Sequence, residues 1–274
     1  MASKRVFITG GSSGIGLSLA ELLVAEGAQV CICARGQARL DEAVAALEAK
    51  AGQGPKPFGV ALDVSDREAV TRVAAEVLER MGGVDLLINN AGIVHPGSFL
   101  DLEPERFDAM MDVNYHGTVN VTRAFVPAMI EGGGGQVVIV SSLAGIVGIY
   151  GYTAYAASKF ALRGFAESLR HDLMAHGVTV HAVFPPDTDT PQLTYENQFK
   201  PPQTKALGGS VKALEAVEVA RSILAGVARG RPIILPGGET KFVYWAARRL
   251  PLLTRWMTDS ILRKANRSLP PASS

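Results

Sequence analysis

The stretch Arg5-Val-Phe-Ile-Thr-Gly-Gly-Ser-Ser-Gly-Ile-Gly16 decides the fold. Its β-branched and aromatic start reads as a strand, which the glycines break at once. From Leu17 to Glu26 the apolar pattern takes a helical period. A strand that turns through glycines into a helix suits phosphate. Glycine admits positive dihedral angles and close backbone approach, and the helix start offers unpaired N–H groups with a partial positive charge. The spacing is G-x-x-x-G-x-G, unlike the G-x-G-x-x-G of many dinucleotide sites. Gly10, Ser12, Ser13, Gly14, Ile15 and Gly16 are therefore candidate contacts to a cofactor pyrophosphate.

Working outward, short apolar runs near 5–9, 29–33, 57–62, 84–88, 136–141 and 178–184 alternate with segments of helical period. Runs such as Val137-Val-Ile-Val140, with little polar alternation, fit strands buried on both faces. With a further short strand at Pro232 to Leu235, the expectation is an α/β, single-domain Rossmann fold. It is a doubly wound parallel sheet of about seven strands with helices on both faces. Ser65 and Glu68 are placed to cap the helix that Gly82-Gly83 ends. Residues 1–237 form the expected domain. Within it, 185–210 is Pro-, Thr- and Gly-rich without a period and reads as a loop serving as a substrate lid. Residues 238–274 form a basic, aromatic, helical extension broken at Pro251.

Composition narrows the function. A formal net charge of +1 gives no general reason to bind nucleic acid, and none is expected. Charge is uneven, however: positions 241–267 carry seven Lys or Arg against only Asp259. That segment is either an interfacial membrane contact or a helix packed on the core or on a second subunit. No run reaches the roughly 20 apolar residues of a spanning helix, since Arg248, Arg249, Pro251 and Arg255 interrupt the best candidate. With no signal-peptide pattern at the start, the expected location is cytoplasmic, with peripheral contact to a membrane's cytoplasmic face as an option. Cys31 and Cys33 share one strand face and read as buried and reduced, and the five histidines show no metal spacing, so no metal is expected.

At the second strand's end stands Arg35, where an NAD site usually offers Asp or Glu to the ribose hydroxyls. Arginine suits a 2′-phosphate, so NADP(H) is the expected cofactor, with Arg39 one turn on as a possible second contact or a solvated side chain. Asp63, followed by Val64, is placed either to meet the adenine or to close a turn. Asn89-Asn90-Ala91-Gly92 is placed either to line the cofactor or to bridge strands.

Tyr155-Ala-Ala-Ser-Lys159 sets a phenol and an ammonium at i and i+4, on one helix face. A tyrosine titrating near 10 needs a neighbouring positive charge to exchange a proton at neutral pH, and Lys159 supplies it. Ser142, at a strand end, can bond the same substrate oxygen, with Ser141 as the structural alternative. Asn114 falls inside a helical pattern that disfavours asparagine, which points to a bound water, a backbone distortion or simple surface placement.

These motifs, in this order and spacing, strongly resemble the short-chain dehydrogenase/reductase family over roughly residues 4–235. The resemblance implies an Asn114-Ser142-Tyr155-Lys159 tetrad with a water relay through Lys159, and a homodimer or homotetramer through the helices bearing Asn114 and Tyr155. It also places Pro185, Thr188 and Thr190 near the nicotinamide amide, although Pro186 replaces the family's usual glycine. Pro185-Pro-Asp-Thr-Asp-Thr-Pro191, with Ala157 to Arg163, Glu196-Asn197 and Lys200-Pro201, looks like the 3-ketodihydrosphingosine reductases. That likeness implies NADPH-dependent reduction of a long-chain sphingoid ketone, 3-ketosphinganine, in sphingolipid synthesis. Its alternatives are another apolar ketone such as a steroid or retinoid, or a non-catalytic NADP-binding sensor.

Overall fold

The computed structural model describes residues 4–208 and 212–267. In chain order the strands and α-helices are β1 (Arg5–Thr9), α1 (Gly14–Ala25), β2 (Gln29–Ala34), α2 (Gln37–Ala51), β3 (Phe58–Ala61), α3 (Arg67–Met81) and β4 (Leu86–Asn89). Then come α4 (Pro104–Met111), α5 (Gly117–Glu131), β5 (Gly135–Val140), α6 (Thr153–Asp172) and β6 (Val178–Val183). The last part holds β7 (Thr188–Asp189), α7 (Pro191–Phe199), α8 (Pro202–Gly208), β8 (Leu214–Glu215), α9 (Ala216–Ala228), β9 (Ile233–Ile234), α10 (Gly238–Arg249) and α11 (Pro251–Arg267).

Seven strands form one parallel sheet in the order β3-β2-β1-β4-β5-β6-β9. The order reverses between β1 and β4, and ligands of such sheets bind at the strand carboxyl ends beside that reversal. Side chains alternate across the sheet with period two. Val6, Ile8, Val30 and Ile32 therefore pack with Leu19, Leu23, Val219 and Ile223 of α1 and α9 on one face. Phe7, Cys31 and Cys33 pack on the other with Val70, Phe125 and Leu162 of α3, α5 and α6. Both cysteines are buried and free, as their strand spacing implies. Burial pushes the Cys33 thiol up to about 12, so it stays protonated and inert.

Two local expectations are corrected. Of the expected loop 185–210, the described residues 185–208 are not irregular, and 209 and 210 lie outside the described residues. Thr190 caps α7, its Oγ accepting from the Leu193 amide at 3.3 Å, and Pro191 occupies the first turn. Pro202 likewise opens α8. Proline at a helix start loses no hydrogen bond, so the residues that read as loop signals are helix starts. The cap of α3 is Asp66, which accepts from the Ala69 amide at 2.9 Å, whereas the Ser65 hydroxyl donates to Asp63 at 2.6 Å. Asp66 sits one residue nearer the helix and carries the charge that its N-terminus favours. The tail does break at Pro251, between α10 and α11.

Phe7 is fully buried and stacks on Phe125 with ring centroids 4.5 Å apart, joining the central strand to α5. Phe7→Ala should cost about 3–5 kcal/mol, read as a lower urea midpoint with an unchanged slope.

Candidate active site

The turn after β1 is fixed from β4. The Thr9 hydroxyl accepts from the Asn90 and Ala91 amides at 3.0 and 2.9 Å. The Asn90 carboxamide donates to the Thr9 and Gly10 carbonyls, both at 3.1 Å. Gly10 and Gly14 hold φ of +65° and +54°, which side chains resist. A Cβ at position 16 would overlap the Gly10 carbonyl. Ser13 stands at the N-cap of α1 without its side chain bonding the helix, leaving the first-turn N–H groups for a ligand. This side-chain-free, donor-rich cradle fits the pyrophosphate of a dinucleotide. Gly10, Ser12, Ser13, Gly14, Ile15, Asn90, Ala91, Gly92, Pro185, Thr188 and Thr190 line one cavity of about 580 Å³, while Gly16 is buried outside that lining.

The remaining cofactor candidates sit apart from that lining. Arg35 is mostly exposed at the end of β2, 3.9 Å from the Asp63 carboxylate. Asp63 also closes a turn, accepting from the Ser65 amide at 2.9 Å. Val64 is buried against Gly117, where any side chain would overlap it. Arg39 is exposed on the first turn of α2 and has no partner among the described residues. Thr188 and Thr190 bond locally, to the Pro186 carbonyl at 2.9 Å and the Thr188 carbonyl at 3.1 Å.

The four chemical candidates converge at the ends of β4 and β5. Tyr155 and Lys159 lie on the first turns of α6, both buried, with the ammonium 5.5 Å from the phenol ring centre. Lys159 Nζ donates to the Val140 carbonyl at 3.2 Å. Burial pushes Lys159 down to about 8 and raises Tyr155 well above its ordinary value, while a hydrogen bond with Ser142 pulls the phenol back down. Ser141 instead donates to the Lys159 carbonyl at 2.8 Å and anchors α6. Asn114 occupies a five-residue π-helical stretch, Asp112–His116. That is the backbone distortion its sequence position suggested, and such bulges favour functional sites. Its carboxamide is fully buried: Oδ1 accepts from the Ile93 amide at 2.7 Å, and Nδ2 donates to the Ile93 carbonyl at 3.0 Å and Ser158 Oγ at 2.9 Å. A Cβ on Gly92 would lie 3.2 Å from Asn114 Oδ1 and 3.3 Å from Lys159 Nζ, so the two side chains meet over that glycine.

Residues 4–201 match the short chain dehydrogenase family profile. The chain belongs to this family. It is 38% identical over 245 residues to a 3-ketodihydrosphingosine reductase of Dictyostelium discoideum, covering 84% of this chain and 73% of that one. A Burkholderia phymatum short chain dehydrogenase/reductase solved with NAD superposes with TM-score 0.80 at 25% identity, over 92% of this chain and 95% of that one. A Burkholderia cenocepacia short chain dehydrogenase solved with NADP gives TM-score 0.78 at 26% identity, over 94% and 98%.

In this short-chain dehydrogenase the cavity extends into a chamber walled by α7, α8, α10 and α11. Beyond Tyr155 the cavity runs past Leu193 and Leu207 to Val243, Leu253, Met257 and Ile261. Two polar residues in its wall went unassigned in the sequence reading. Tyr152, three residues before Tyr155, donates its hydroxyl to Glu196 Oε2 at 2.7 Å, and both are buried. The i, i+4 spacing of Gln192 and Glu196 was the local signal for the second, and Gln192 Nε2 donates to Glu196 Oε1 at 3.3 Å.

Lys159 supports a stability prediction of definite sign. Its folded value near 8 lies below the ordinary 10.5, so between these pH values the unfolded chain binds more protons. Burying the ammonium costs stability in full below pH 8, and the cost fades as pH rises to 10.5. Lys159→Met should therefore melt above the wild type at pH 7, with the gap closing toward pH 10.5, while losing activity.

Proposed function

We propose that this protein uses NADPH to reduce the keto group of 3-ketosphinganine to the alcohol of sphinganine, with Tyr155 as proton donor. The observation that carries the reading is the continuity of one cavity, from the glycine cradle past Tyr155 into a chamber with the apolar lining that an alkyl chain needs. The sphingoid reductase relative supports the substrate, and the dinucleotide complexes of the structural neighbours support the cofactor class. Arg35 favours NADPH, since no carboxylate side chain stands at that position and a guanidinium matches a phosphate.

Bound NADPH would supply the hydride to the carbonyl carbon. Tyr155 gives its phenolic proton to the carbonyl oxygen, and the Ser142 hydroxyl steadies the charge that grows there. The Lys159 ammonium stabilises the phenolate left behind and would hold the nicotinamide ribose. Asn114 holds the Ile93 backbone and Ser158 in register with Lys159. In the assay, NADPH oxidation with 3-ketosphinganine in mixed micelles should far exceed that with NADH or a simple apolar ketone. Equal rates with every ketone would discard the sphingoid substrate. Tyr155→Phe should abolish turnover and leave NADPH binding intact, and Arg35→Glu should shift preference toward NADH.

The proposal includes a peripheral place on the cytoplasmic face of a membrane. No helix among the described residues is long and apolar enough to cross one. On α10 and α11, Phe242, Trp245, Leu252 and Trp256 are each more than half exposed among Lys241, Arg248, Arg249, Arg255 and Arg263. Apolar anchors ringed by cations suit an anionic bilayer surface. Cosedimentation with anionic vesicles should be salt-sensitive and should fall in a Trp245→Ser, Trp256→Ser double variant; unchanged binding would sink the assignment. A homodimer or homotetramer through the helical segment bearing Asn114, Pro104 to Glu131, and through α6, which bears Tyr155, belongs to the same proposal, supported by Phe160, which is 40% exposed on α6.

A further inference from the structure

Among the described residues Glu196 is the only acidic side chain that is buried. It projects from α7 into the same cavity as Tyr155, and both its oxygens are held by neutral donors, Tyr152 and Gln192. A buried carboxylate without a cation is costly. Among the described residues no Lys, Arg or His lies within ion-pairing distance of it. Lys200, which lines the same cavity, is engaged 2.9 Å from Asp187. Burial accordingly raises Glu196 above the ordinary carboxylate range, and Tyr152 and Lys200 only partly oppose this.

Proton donation from Tyr155 does not account for this arrangement. The negative charge of Glu196 works against a Tyr155 phenolate, although it favours the Lys159 ammonium. A cation arriving from outside would satisfy the carboxylate and cancel that opposition. The sphingoid ketone brings one, because the carbon beside its carbonyl bears an amine that is an ammonium at neutral pH.

We infer that Glu196, braced by Tyr152, binds the ammonium group adjacent to the substrate's ketone and so selects 2-amino ketones over plain apolar ketones. The inference rests on the substrate reading above. The Tyr152 and Tyr155 ring centres are 5.7 Å apart. The carboxylate bonded to the first tyrosine and the phenol of the second line one cavity, where they would meet an amine and a carbonyl on adjacent carbons. The hydrocarbon beyond them meets the apolar wall of α10 and α11.

The test is steady-state kinetics with NADPH on two ketones of equal chain length, 3-ketosphinganine and its analogue lacking the amine. The wild type should favour the amino ketone by about tenfold or more in kcat/KM, the factor for one charge-assisted hydrogen bond. Glu196→Gln keeps the volume and an acceptor for Tyr152. It should raise KM for the amino ketone by about tenfold relative to KM for the analogue, while any change in kcat through Tyr155 falls on both ketones alike. Equal losses on both ketones would mean that Glu196 only shapes the chamber and would overturn the inference. So would a wild type that reduces both equally well, a result that needs no variant to fold and leaves the reductase reading in place. Reduction of neither ketone would remove the substrate reading, and this inference with it. Glu196→Asp should recover part of the discrimination that Glu196→Gln loses.

Discussion

The reversal of strand order between β1 and β4 is the constraint on which the site depends. Chains leaving the two strands diverge to opposite faces of the sheet, opening a crevice at their carboxyl ends. The Thr9 hydroxyl and the Asn90 carboxamide tie the two lips of that crevice together. The next strand, β5, delivers Ser142 and the Val140 carbonyl to the same edge. One side chain, Lys159, then reaches that edge from α6 and comes under the same tie, near Gly92.

Around this edge the protein concentrates polar groups that would be costly in its core. Lys159, Asn114, Ser158 and Glu196 are all buried within a short span of the chamber. Three of them are matched by partners of the fold: Lys159 by a backbone carbonyl, and Asn114 and Ser158 by each other and by backbone. Lys159 and Glu196 are alike in carrying a charge that only neutral groups hold. Perturbed groups of this kind cluster where chemistry or selection is done.

Much of this was legible in the sequence. The burial of β1 and β2 on both faces, the glycine turn and the spacing of Tyr155 and Lys159 each express a local geometric rule, and each lies where its rule puts it. The distortion at Asn114 was legible because asparagine fits poorly in a regular helix. Residues 185–208 misled because proline and threonine serve both loops and helix starts, and the deciding fact is whether four residues of helix follow. The pairing of Tyr152 with Glu196, 44 residues apart, follows from how α7 is laid over α6, which no local rule encodes.

The helices that close the chamber are held far more lightly than the sheet they cover. No residue of α11 is buried, α7 buries only Glu196, and α8 is joined to α11 by the Gln203–Asn266 hydrogen bond at 3.1 Å. Local opening of such elements costs little beside the free energy that holds β1, β4 and β5. In hydrogen exchange the molecule should therefore behave as two layers, a slowly exchanging sheet under a cover whose amides exchange early. Traffic of a long-chain molecule is then governed by the cover's fluctuations, without any cost to the alignment of the reacting groups below.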